Sequence, residues 1–91
     1  MLIAKLREGR LLRVGTTVLQ VLQAREGAAL LDLVPLCGQA RQERVRSGGS
    51  LQLGEATVNV SWARRGEARL AIDAPMSVFI EVRPTIPTRP A

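Results

Sequence analysis

The chain has no histidine, no tyrosine, one cysteine, one tryptophan and one phenylalanine in 91 residues. Without histidine, imidazole acid–base chemistry and His-containing metal sites are excluded. A single cysteine, Cys37, rules out an internal disulfide framework and a thiolate zinc site, and it is expected to be a buried, inert thiol. The two aspartates, Asp32 and Asp73, have no His or Cys partner with which to build a catalytic site. No enzymatic activity and no cofactor are therefore expected. No apolar run is long enough to span a bilayer, and the stretch from Met1 to Arg7 is too short and too charged for a signal peptide. The expectation is a cytoplasmic protein.

With so few aromatics, the core has to be assembled from Leu, Val, Ile and Ala, which belong to the 46% hydrophobic content. Ninety-one residues suffice for one small domain. A net charge of +5 favours an anionic partner, nucleic acid before membrane. The plainer alternative is a basic surface that only maintains solubility.

The hydrophobic pattern is that of strands. Val58, Val60 and Trp62 alternate with Thr57, Asn59 and Ser61, the two-residue period of a half-buried strand. Arg64-Arg65-Gly66-Glu67 has a glycine where a tight hairpin needs positive φ, and Ala68, Leu70 and Ile72 resume the alternation on the return. Pro75 cannot donate to a ladder, so it ends that strand, and Ser77 to Val82 begins another. In the first half, strands are expected at residues 2–7, 11–14, 17–24 and 28–33. A short fifth strand is expected at 36–40, with a helical turn over 39–46 as an alternative. The tail from Pro84 to Ala91 contains three prolines and few core formers, so it is expected to be disordered.

The two halves repeat one another. At an offset of 39, Arg7 falls on Arg46, Gly9 on Gly48, Gly15 on Gly54 and Gly27 on Gly66. Leu12, Val21, Ala24, Arg25 and Leu31 fall on Leu51, Val60, Ala63, Arg64 and Leu70. Three glycines at one offset mark three turns with special backbone needs in each copy. Residues 1–83 are thus expected to be one compact domain made of two repeats, 1–39 and 40–83.

The run Arg69-Leu70-Ala71-Ile72-Asp73-Ala74-Pro75-Met76-Ser77-Val78, with the hairpin before it, resembles the carbon storage regulator (CsrA/RsmA) family of bacterial RNA-binding translational regulators. The resemblance covers roughly Gly48 to Val82. Met1-Leu2-Ile3 through Arg7-Glu8-Gly9, followed by Leu12, Val14 and Gly15, resembles the family's opening strand and glycine turn. Family members are homodimers with interleaved strands, the first strand of one subunit lying beside the last of the other. Two fused copies imply an all-β, single-chain pseudo-dimer: a small interleaved sandwich or barrel-like domain that is monomeric.

The resemblance also implies a ligand, hairpin RNA with GGA in its loop, and leaves room for a protein antagonist. In the family, arginines on the first strand and one near the end of the fifth grip the RNA. Lys5 and Arg7 in copy one, and Arg44 and Arg46 in copy two, are spaced by two and leave one face of a strand. The family's adjacent arginines fall on Leu6-Arg7 and Val45-Arg46. Its fifth-strand arginine falls on Gln42 and near Val82, with Arg41 and Arg83 one residue away. Lys5, Arg7, Arg41, Arg44, Arg46 and Arg83 are the candidate RNA-binding residues, grouped into two sites. One joins Lys5 and Arg7 to residues 80–83, and the other joins Arg44 and Arg46 to residues 39–41. Arg25, Arg64 and Arg65 are expected at hairpin tips. Trp62 is able to stack on a base, but its parity with Val58 and Val60 assigns it to the core. A protein-interaction module that has kept this core and lost the RNA grip is the competing function.

Overall fold

The computed structural model of the chain describes residues 1–78 and 80–83, with backbone alone at Val82 and Arg83. Nine strands occur among the described residues: β1 (Leu2–Arg7), β2 (Leu11–Val14), β3 (Thr17–Arg25), β4 (Ala28–Pro35), β5 (Arg41–Arg46), β6 (Ser50–Leu53), β7 (Ala56–Arg64), β8 (Glu67–Asp73) and β9 (Ile80–Arg83). They form two antiparallel sheets, ordered β1-β8-β7-β6 and β5-β4-β3-β2-β9. Alternation decides what lies between them. Leu19, Val21, Leu31 and Leu33 of one sheet and Val58, Val60, Leu70 and Ile72 of the other are at most 1% exposed and share one cluster. Each such side chain contributes about 1.5–3 kcal/mol of burial free energy. Among the described residues no polar or charged side chain is buried.

The repeat is visible in the backbone. β5, β6, β7 and β8 begin 39 residues after β1, β2, β3 and β4. The tight hairpins of the two halves, closed by Gly27 (φ 86°) and Gly66 (φ 84°), meet at one end of the molecule. There Gly27 N donates to Ala63 O at 3.2 Å and Gly66 N to Ala24 O at 2.9 Å, a reciprocal pair. The halves also trade strands: β1 joins the sheet made by β6, β7 and β8, and β9 joins the sheet made by β2, β3 and β4. The neighbour of β1 is β8, the fourth strand of the other half, not its last; the last, β9, lies beside β2.

Three local expectations are corrected. Residues 36–40 form no strand, and residues 39–46 no helical turn; the segment instead supplies the single strand β5, paired to β4 from Ala28↔Arg46 to Leu33↔Arg41. Six residues can complete only one sheet edge, so the pseudo-symmetric place beside β6 has no strand among the described residues. Cys37 is exposed, because it lies in this unpaired connection between Pro35 and Gly38 (φ 116°), outside both sheets. The hairpin arginines Arg25 and Arg64 are the last residues of β3 and β7, not free loop tips. The proline-rich stretch from Pro84 onward lies outside the described residues.

Candidate nucleic-acid interface

The outer face of the β1-β8-β7-β6 sheet is built by the pairing register. Lys5 stands opposite Arg69, and Arg69 opposite Trp62, so one row across three strands reads Lys5, Arg69, Trp62. The next row reads Arg7, Glu67, Arg64. Directly opposed side chains on one face of a sheet are about 5 Å apart at Cβ, and like charges so placed oppose folding. Lys5, Arg7, Arg64 and Arg69 are all exposed, and Trp62 is half-buried. The Arg64 guanidinium carbon sits 4.4 Å from the Trp62 ring centroid, a cation–π contact.

Trp62 is on this face because of a β-bulge. The pairing runs Val60↔Leu70 and then Trp62↔Arg69, so Ser61 is an extra residue on β7. A bulge reverses the parity of everything beyond it. Val60 is inside, Ser61 and Trp62 turn outward, and Ala63 is again inside at 5% exposure. The assignment of Trp62 to the core is thereby corrected. A signal was present in the sequence: unbroken alternation from Val58 through Trp62 would also aim Arg64 into the core. β3 carries the same device, with a shift between Val21 and Gln23, exposed Leu22 as the extra residue, and Ala24 at 1% exposure.

Neighbouring turns hold the bulges open by taking up their backbone groups. Gly48 N donates to Val60 O at 2.7 Å and Ala63 N to Ser47 Oγ at 3.2 Å. At the matching place in the first half, Gly9 N donates to Val21 O at 2.7 Å and Ala24 N to Glu8 Oε2 at 2.8 Å. Ser47 and Glu8 are therefore the side chains that fix the outward aim of Trp62 and Gln23.

The second sheet repeats the face with different residues. Its rows read Arg44, Leu30, Gln23 and Arg46, Ala28, Arg25. Arg44, Arg46 and Arg25 are exposed, and a shallow hollow lies among Gln23, Arg25, Leu30 and Arg44. Among the described residues, none of Lys5, Arg7, Arg44, Arg46 and Arg69 lies within salt-bridge distance of a carboxylate. The positions correspond at the offset of 39, with Gln23 where Trp62 stands and Leu30 where Arg69 stands.

Of the candidate residues, Lys5 and Arg7 thus share one outer face, and Arg44 and Arg46 the other. Arg41 pairs with the buried Leu33, so it leaves β5 on the side opposite to Arg44 and Arg46, and its Nε lies 3.8 Å from Glu43 Oε1. The structure does not group Arg41 with the other two. Arg83 ends β9 opposite Leu11, and its side chain lies outside the described residues. Sequence reading missed Arg69 as a site residue, because its role depends on the register that sets it against Lys5. Among the described residues no group of three or more His, Cys, Asp or Glu side chains is placed to hold a metal ion. Comparison with family models, curated proteins and solved structures returned no match, so the chemistry of these faces is read from their own geometry.

Proposed function

We propose that the chain is an RNA-binding post-transcriptional regulator, a single-chain counterpart of the carbon storage regulator dimer that acts on translation or stability of messages. The observation that carries this reading is the row in which Lys5 and Arg69 stand directly opposed on an exposed face, with Arg7 and Arg64 on either side of Glu67 in the next row. Placing like charges across a ladder costs folding free energy that a polyanion repays by neutralising both. The exchange of β1 and β9 between the halves, and the resemblance of Gly48 to Val82, support the family assignment, while the place of β1 beside β8 and not beside β9 departs from the arrangement it implies. Binding to hairpins with GGA in the loop follows from that assignment.

Titration with a GGA-loop hairpin and with a hairpin lacking GGA, at several salt concentrations, tests the reading. With three to five phosphates contacted, the slope of log affinity against log salt is expected at about −2 to −5. Equal affinity for both hairpins would leave charge attraction without GGA recognition. Absence of binding at low salt would favour the second reading, a protein-interaction module. One observation favours that alternative: among the described residues β6 is hydrogen-bonded on one side only, and its Leu51 and Leu53 are half-buried where the matching Leu12 and Val14, paired with β9, are buried. An open edge of this kind accepts an added strand.

A further inference from the structure

We propose that Trp62 is a stacking platform for one base of single-stranded RNA, flanked by Lys5 and Arg69 as phosphate contacts, and that the opposite face has no such platform. The inference rests on the RNA reading above and assigns the chemistry of one face within it. Three features point to stacking. The bulge at Ser61 turns the single large aromatic ring of β7 away from a core composed of Leu, Val, Ile and Ala. The ring then lies in a row with two exposed cations, Lys5 and Arg69, the combination of a flat π-face and backbone-tracking charge that holds unpaired nucleotides. The Arg64 guanidinium, 4.4 Å from the ring centroid, occupies the place a base would take.

Arg64 does not block that place. Its side chain is exposed, and a cation–π contact at an exposed site is worth less than a base stacked on an aromatic ring. An incoming base displaces the guanidinium, which remains beside the row as a further partner for phosphate. A duplex keeps its bases stacked on one another and offers none to the ring, so the site selects single strands and loops. On the second sheet Gln23 replaces the tryptophan and Leu30 replaces Arg69, so that face keeps Arg25, Arg44 and Arg46 but loses the platform. One strong RNA site per chain follows.

The chain contains one tryptophan and no tyrosine, so its intrinsic emission reports on Trp62 alone. The test is a fluorescence titration of the full chain at low salt with a short single-stranded oligouridine and with a duplex of the same length. Saturable quenching by the single strand, and weaker quenching by the duplex, is expected. By anisotropy of labelled oligouridine, Trp62→Ala is expected to weaken binding at least about tenfold, Trp62→Phe to retain most of it, and Gln23→Ala to leave it unchanged. Unchanged emission at saturation, or equal quenching by the duplex, would overturn the platform whether or not the variants fold. Wild-type affinity in a folded Trp62→Ala would do so too, with RNA binding itself intact. Failure of the wild type to bind oligouridine while binding the GGA-loop hairpin would also overturn the platform, whereas failure to bind the GGA-loop hairpin as well would overturn the RNA reading as a whole.

Discussion

At the scale of single residues, Lys5 and Arg69 stand where folding alone would favour opposite charges. Arg69→Glu replaces repulsion with attraction across the ladder, so stability should rise by about 0.2–1 kcal/mol in urea unfolding. RNA affinity should fall in the same variant, and the salt slope should shrink by about one, because one phosphate fewer is neutralised. A variant both less stable and equally tight for RNA would show that Arg69 serves the fold. Cys37 gives a second test at this scale. Because the thiol is exposed, the native protein should react with a thiol reagent as completely as the urea-unfolded chain, with no unfolding step required.

The elements carry the devices that aim these residues. Ser47 accepts the Ala63 amide hydrogen next to the bulge, so Ser47→Ala should cost about 1 kcal/mol and leave that amide poorly protected in hydrogen exchange. The two halves also contain a paired comparison. Leu12 is fully buried in the core, with β9 beside its strand; Leu51, at the matching position, is half-buried on β6, which has one neighbouring strand among the described residues. Leu12→Ala should therefore cost about 2–5 kcal/mol in urea unfolding, and Leu51→Ala markedly less. Equal costs would mean that the edge of β6 is covered in solution.

For the whole molecule, the trading of strands means that each half completes a sheet of the other within one chain. Each half supplies only three consecutive strands of a sheet, β2-β3-β4 or β6-β7-β8, and among the described residues those sheets are extended by β1 beside β8 and by β9 beside β2. A cooperative monomer of 9.9 kDa is expected by light scattering, unfolding in one transition. A stable mass of about twice that value would show that the open edge of β6 draws in a second copy. The reciprocal bonds between the hairpins at Gly27 and Gly66 bring the two outer faces to a common end, where Arg7, Arg25, Arg46 and Arg64 lie in the rows next to the hairpins.

Most of the strands and most of their inward residues were legible in the sequence, because a two-residue period and positive-φ glycines are local properties. Alternation through Val58, Val60, Leu70 and Ile72 and the turns at Gly9, Gly15, Gly27 and Gly66 were legible for that reason, as was the repeat. It also placed Lys5 with Arg7 and Arg44 with Arg46, each pair on one strand face. Contacts between distant segments set the rest. The bulges at Ser61 and Leu22 depend on backbone partners at Gly48 and Gly9 and side-chain partners at Ser47 and Glu8, more than ten residues away, so parity could show that the alternation breaks before Arg64 but not that it breaks at Ser61. The use of residues 41–46 as one strand, and hence the exposed Cys37 and the edge of β6 that has no partner among the described residues, was settled by competition between two sheet edges for one segment. The opposition of Lys5 and Arg69 arises only when β1 crosses into the sheet of the other half, because register between strands distant in sequence is set by the packing of both faces.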